Sequence, residues 1–239
     1  MKVLILTTRT GHHLNYLHKL SLNKRLDIFS IFEKKKIKFA FKTHHNLDDI
    51  RDKCENLILK KNKIKYSSFK KKEVNDINSQ SCINLVKKIN PKIIIAYGVG
   101  KIRSGFLKNF KKKIFNLHAA NPESYRGLDS FLWAIYHKDF KNFYITLHKV
   151  NKKLDAGDII YKKKIILKKN ASIYNLRILS SETCHLLTRK IINKFLFSKK
   201  FRSHPQNIRK GRYYSAMPSV LKSICVENFN SYINKKYGK

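Results

Sequence analysis

The 239-residue chain gathers its chemically able side chains between Asn116 and Ile160. They run Asn116-Leu117-His118, Tyr125-Arg126-Gly127, Thr146-Leu147-His148 and Leu154-Asp155-Ala156-Gly157-Asp158. An amide, an imidazole and a carboxylate are the groups needed to move an acyl group onto an amine. Attack by the amine leaves negative charge on the carbonyl oxygen, and an amide N–H aimed at it contributes on the order of 10² to 10³ in rate. A histidine that shares that charge or moves a proton contributes roughly 10² to 10⁴. A carboxylate beside the ring holds it and favours its charged form. This chemistry calls for no metal and no covalent enzyme intermediate. Of the eight glycines, Gly98, Gly100, Gly105, Gly127 and Gly157 fall in or just before this stretch, and glycine permits close approach of backbone to ligand.

Such residues need a scaffold that brings them together. Residues 2–7 predict a first buried strand, within an apolar start too short for a signal peptide. A helix carrying Leu14, Leu17 and Leu20 follows, then a strand over Asp27–Phe32. Residues 46–88 are polar and lysine-rich and predict one or two surface helices. The β-branched run ending Ile93-Ile94-Ile95-Ala96-Tyr97 predicts a strand buried on both faces. After it come a helix near 103–110 and a strand at 113–116. Strands alternating with helices imply an α/β fold with a doubly wound, mostly parallel sheet. Ligands gather at the carboxyl ends of such strands, where Gly98, Gly100, Asn116 and His118 fall. Residues 119–127 predict a loop, 129–138 a helix, and 144–150 and 158–167 two strands. Ser172 is expected to cap a helix running to about 197, with Leu176, Leu179, Leu187, Ile191 and Phe195 as its apolar face. The expected division is one catalytic domain over 1–197 and a basic, aromatic C-terminal extension over 198–239.

Composition narrows the class. Hydrophobic residues make up 42% of the chain, enough for a core, yet no apolar run approaches the roughly 20 residues of a spanning helix. A cytoplasmic location is the expectation. Cys54, Cys82, Cys184 and Cys225 are scattered without metal-ligand spacing, so reduced and mostly buried thiols are expected. The formal charge of +38 attracts anions, from nucleic acid to nucleotides and polyglutamylated cofactors. Its lysines are spread through the whole chain, in runs such as Lys34-Lys35-Lys36 and Lys162-Lys163-Lys164. That spread favours a composition-wide shift over a dedicated binding stripe.

Taken jointly, Asn-x-His, Tyr-Arg-Gly, Thr-x-His and Leu-Asp-x-Gly-Asp-Ile, preceded by Lys101-Ile102-Arg103-Ser104, resemble the 10-formyltetrahydrofolate-dependent formyltransferases. That family includes glycinamide ribonucleotide transformylase, methionyl-tRNA formyltransferase and the sugar N-formyltransferases. The resemblance is firm over residues 93–160 and thin beyond 197. It implies a Rossmann-like formyltransferase fold, 10-formyltetrahydrofolate as cofactor, and Asn116, His118 and Asp155 as the catalytic triad. It also implies that Tyr97, Gly98, Gly100, Lys101, Ile102, Arg103, Val150 and Leu154 line the folate pocket. Lys101 has a second reading as one more surface lysine. His13, Tyr125, Arg126, Gly127 and His148 are candidate acceptor contacts. For Arg126 the alternative is a loop anchor, for His148 a packed strand histidine.

Two departures bear on the acceptor. Where the nucleotide-synthesis enzyme carries a glycine- and asparagine-rich phosphate loop, this chain reads Thr7-Thr8-Arg9-Thr10-Gly11-His12-His13. Where the tRNA enzyme adds a C-terminal barrel, only residues 198–239 remain. The expected acceptor is therefore a primary amine on an anionic, nucleotide-linked amino sugar, with a homodimer possible. The alternatives are a methionyl-tRNA formyltransferase-like enzyme without the barrel, a formyltetrahydrofolate hydrolase, and a non-enzymatic RNA-binding protein.

Overall fold

The computed structural model describes residues 1–34, 38–198 and 202–238. Lys35 and Lys36 of the first lysine run, and residues 199–201 of the extension, lie outside the described residues. Five parallel strands form most of the main sheet: β1 (Lys2–Thr7), β2 (Asp27–Glu33), β3 (Lys71–Val74), β4 (Ile93–Tyr97) and β5 (Ile114–His118). The short β6 (Tyr125–Gly127) stands apart, while β7 (Tyr144–Lys149) and β8 (Ile159–Lys164) add antiparallel to the edge beyond β5. The spatial order is β3-β2-β1-β4-β5-β7-β8. Every residue of β4 is buried, as a central strand covered on both faces requires. The order reverses between β1 and β4, so their C-terminal loops open the crevice where doubly wound sheets bind ligands.

One face of the sheet carries α1 (Gly11–Ser21) and α6 (Leu176–Ser198). They lock through buried polar pairs: Asn15 donates to Ser181 Oγ at 3.0 Å, and the Tyr16 and Thr188 hydroxyls meet at 2.9 Å. Burial leaves the Tyr16 hydroxyl a poor acid, and the Thr188 bond offsets this only in part. The core on this face takes in α2 (Asn46–Lys61) and α5 (Ser130–Tyr136). The other face is closed by α3 (Gln80–Ile89) and α4 (Ser104–Phe110), whose Ile83, Val86, Phe106 and Phe110 pack on Leu4, Leu6, Ile94 and Ile114.

Three expectations are corrected. The stretch 46–88 holds a strand as well as helices: β3 reads Lys-Lys-Glu-Val at the sheet edge, where one neighbour suffices and no apolar run marks it. Ser172 caps a short turn by accepting from Tyr174 N, and α6 begins later at Leu176. Residues 125–127, read as loop, are β6, paired in parallel with β9 (Arg212–Tyr214). The chain ends in α7 (Ser219–Tyr237), which buries Lys222, Cys225, Phe229 and Ile233. That stripe has helical spacing and joins the same core as α5. Lys222 Nζ donates to Thr43 O at 2.6 Å and Asp48 Oδ2 at 2.7 Å, satisfying its buried charge. The four cysteines are free thiols. Among the described residues, no helix is long and apolar enough to cross a membrane.

Candidate active site

Asn116 and His148 stand directly opposite each other across the β5–β7 pair, so their side chains are neighbours. A register shift in β7–β8 falls between Leu147 and His148, the kind of bulge that re-aims a side chain. The His148 ring is 2% exposed. Its Nδ1 lies 2.7 Å from Lys149 O, so Nδ1–H donates there and Nε2 of the neutral ring accepts. That acceptor takes one Asn116 Nδ2–H at 3.1 Å, and the other goes to Asp155 Oδ1 at 3.1 Å. Asp155 Oδ2 accepts from Gly127 N at 2.9 Å.

His118, 6% exposed, sends Nε2–H to Tyr125 O at 2.8 Å, with Ser130 Oγ at 3.4 Å. Its Nδ1 faces Asp155 Oδ2 at 3.6 Å, and His148 Nε2 is 3.6 Å from Asp155 Oδ1. Asp155 thus sits between two imidazoles, and its close hydrogen bonds go to Asn116 and Gly127 rather than to His118. Burial works against its negative charge, but the adjoining His118 and His148 imidazoles, whose protonated forms attract it, and the Gly127 N–H outweigh it. They hold the carboxyl well below the usual carboxylate range. Asn116, His118, His148 and Asp155 therefore form one cluster.

The 97–103 loop leaves β4 beside this cluster. Gly98 has φ +73°, and a Cβ there would stand 2.2 Å from the His13 ring. His13 is buried beneath the loop, with Nδ1 on Thr8. This packing corrects the reading of His13 as an acceptor contact. Two side chains with no motif signal clamp the loop. The buried Glu33 accepts from Gly100 N at 2.8 Å and Ile77 N at 3.2 Å. Asn78 accepts from Arg103 N at 2.7 Å and donates to Lys101 O at 3.0 Å. Tyr97 and Ile102 are buried, Val150 and Leu154 half-buried, Lys101 and Arg103 exposed. Val99 and Val150 flank the same apolar cluster. An apolar ledge bordered by two cations fits a flat heterocyclic donor that carries carboxylates.

Arg126 is an anchor. Its guanidinium donates to Pro122 O at 3.1 Å, Ile208 O at 3.2 Å and Gly211 O at 2.5 Å, which leaves little for an anion. The Tyr125 side chain points away from the cluster, with its hydroxyl on Asp139 at 3.1 Å. Asp158 supports the loop by accepting from Lys149 Nζ and Ser203 Oγ. At the end of β1, helix α1 has no side-chain cap of its own. Glu55 of α2 occupies that end, accepting from His12 N at 2.9 Å, while Arg177 Nε pairs with its other oxygen at 2.7 Å.

The family model described as formyl transferase matches residues 1–191. The bifunctional polymyxin resistance protein ArnA of Wigglesworthia glossinidia brevipalpis is 27% identical over 220 residues, covering 85% of this chain and 28% of that protein. The methionyl-tRNA formyltransferase of Finegoldia magna is 27% identical over 167 residues, covering 69% of this chain and 52% of that enzyme. The chain thus spans about half or less of the length of these curated relatives. Among solved structures, the formyltransferase PseJ from Anoxybacillus kamchatkensis, in complex with UDP-4,6-dideoxy-4-formamido-L-AltNAc and tetrahydrofolate, superposes with TM-score 0.56 at 18% identity, covering 90% of this chain and 86% of that one. A sugar N-formyltransferase from Shewanella sp superposes with TM-score 0.62 at 14% identity, covering 95% and 87%. At such identities the structural likeness speaks for the fold, and the family model speaks for descent: the chain belongs to the formyl transferase family.

Proposed function

We propose that this formyltransferase-family enzyme moves a formyl group from 10-formyltetrahydrofolate to a primary amine on a nucleotide-linked amino sugar. The observation that carries the transfer is the hydrogen-bonded cluster of Asn116, His148 and Asp155, with His118 beside it, at the mouth of the 97–103 loop. When bound, the folate supplies the formyl carbon and the nitrogen that leaves it. Gly98, Gly100, Ile102, Val150 and Leu154 would hold its ring system, and Lys101 and Arg103 its carboxylates.

Asp155 stays ionised at neutral pH, so it orients the rings and balances their charge rather than storing the proton shed by the amine. In the resting cluster both Asn116 N–H groups are engaged. A second proton on His148 turns Nε2 from acceptor to donor, toward Asp155 Oδ1. One Asn116 N–H is then released to meet the formyl oxygen as negative charge develops there. His118 would balance that charge from the opposite side of Asp155 and relay the proton shed by the amine to the departing nitrogen, so that none is gained or lost overall.

Two observations support the acceptor. The fold matches that of PseJ, whose complex holds a UDP-linked formamido sugar. In addition, Glu55 fills the α1 terminus at which a phosphate loop would seat a ribonucleotide's phosphate, which argues against glycinamide ribonucleotide. Methionyl-tRNA is the second reading, favoured by the Finegoldia magna relative and by the +38 charge.

The test is tetrahydrofolate release from 10-formyltetrahydrofolate, followed by absorbance, with UDP- and dTDP-linked amino sugars and with methionyl-tRNA. Release that depends on one amino sugar is expected. Release with methionyl-tRNA alone would replace the acceptor, release without any amine would indicate a hydrolase, and absence of folate binding would refute the enzyme reading.

A further inference from the structure

The turn that presents the catalytic carboxylate is held from outside the family-matched segment. Asp155 has φ +49°, a left-handed conformation that a non-glycine residue keeps only when its surroundings over-determine it. Its carboxylate end is tied to Asn116 and Gly127. Its backbone end is tied by two side-chain amides that take three successive carbonyls. Asn151 Nδ2 donates to Ala156 O at 3.0 Å, and Gln206 Nε2 donates to Asp155 O at 3.0 Å and Gly157 O at 2.5 Å. Asn151 lies on the near side of the turn, within residues 1–191, whereas Gln206 lies beyond them.

Backbone pairing on both sides delivers Gln206 to this spot. Two residues earlier, His204 exchanges both backbone hydrogen bonds with Ile159, at 2.9 and 3.0 Å. One residue later, Asn207 N donates to Glu123 Oε1 at 3.0 Å. Further on, β9 pairs with β6, the strand whose Gly127 N–H and Tyr125 carbonyl hold Asp155 and His118. Gln206 Oε1 is buried without a hydrogen-bond partner. The amide therefore engages this turn through its two donors alone.

We propose that Gln206 is a positioning residue for formyl transfer: its amide staples the Asp155–Gly157 turn so that the Asp155 carboxylate stays in register with Asn116 and His118. The catalytic half of this proposal rests on the function proposed above; the positional half does not. Gln206→Met keeps the bulk and removes both donors, whereas Gln206→Glu sets an acceptor against two carbonyls. Both should lower kcat by roughly 10- to 100-fold, as a displacement near 1 Å does, with tetrahydrofolate affinity changed by less than about threefold. In the Asp155→Asn background, Gln206→Met should cost less than about twofold more, because residues acting as a unit are not additive; full additivity would overturn action through Asp155. Trypsin cleavage after the exposed Lys152 and Lys153 should speed up at least about tenfold in Gln206→Met as the turn loosens. A kcat within twofold of wild type would sink the catalytic role. Should wild type transfer formyl to no amine, the function falls separately, and unchanged trypsin cleavage would then overturn the positioning as well.

Discussion

Gly157→Ala tests whether the site depends on the backbone packing beneath it. A Cβ at Gly157 would lie 1.8 Å from Lys149 O and 2.7 Å from Lys149 C, where ordinary contact begins near 3.4 Å. The partner is backbone on β7, so no flexible side chain can yield, and the two segments must part by about 1.6 Å. The oxygen struck is the one that accepts from His148 Nδ1, and the residue moved is two positions from Asp155. Both ends of the Asn116 hydrogen-bond pair are therefore displaced by one methyl group. Overpacking of this kind costs ~1–3 kcal/mol, which for a chain of this size lowers Tm by roughly 2–12 °C. The catalytic cost should match the upper end of that energy range, because a misplacement near 1 Å is worth on the order of 10² in rate, or about 2.7 kcal/mol. The assay is tetrahydrofolate release under saturating donor, with tetrahydrofolate affinity measured separately and Tm by calorimetry. The expected result is a folded protein with kcat down about 100-fold and folate affinity within about threefold. A folded variant with kcat within twofold of wild type would refute the link between this contact and the cluster.

Three further outcomes follow from the same geometry. His118→Ala and Asp155→Asn should each lower kcat by at least about 10²-fold and leave tetrahydrofolate affinity within about threefold, read by the same release and binding assays. Burial, helped by the neighbouring His12, holds His13 well below its ordinary 6.5, and burial also lowers His12 despite Glu55. The unfolded chain therefore binds more protons than the folded one just below pH 6.5, and stability must fall as pH drops through that value. Thermal melts at pH 7.5 and 5.5 should show this loss, and His13→Asn should show less of it; equal slopes would remove His13 as the cause. Glu55→Gln leaves Arg177 and the α1 terminus facing a neutral group, and chemical denaturation should register a loss of roughly 1–3 kcal/mol; an unchanged midpoint would show that the ion pair contributes nothing.

What the sequence made legible, and what it hid, divides along a physical line. Strands β1 and β4 declare themselves because burial on both faces demands an unbroken apolar run, and α1 because its apolar spacing follows the helical period. Strand β3 and the β6–β9 pair demand no such composition: an edge strand needs one neighbour, and a three-residue ladder needs only N–H and C=O groups that every residue but proline owns. The cluster shows the same split. That Asn116, His118 and Asp155 would meet was legible because few side chains could serve the proposed acyl transfer. The groups that aim them act on backbone atoms, as Glu33 does on Gly100 N, Asn78 on Arg103 N and Gln206 on Asp155 O. Many residue types can supply such a contact, at positions that only folding brings near. His13, and the anion-contact reading of Arg126, err in the opposite direction. Each has a chemistry that suggests a ligand, but one is spent on packing under Gly98 and the other on three carbonyls. A polar side chain in a site-rich stretch therefore counts as a ligand contact only once its local backbone partners have been accounted for, and Asn116 meets that standard only if a proton on His148 releases one of its N–H groups.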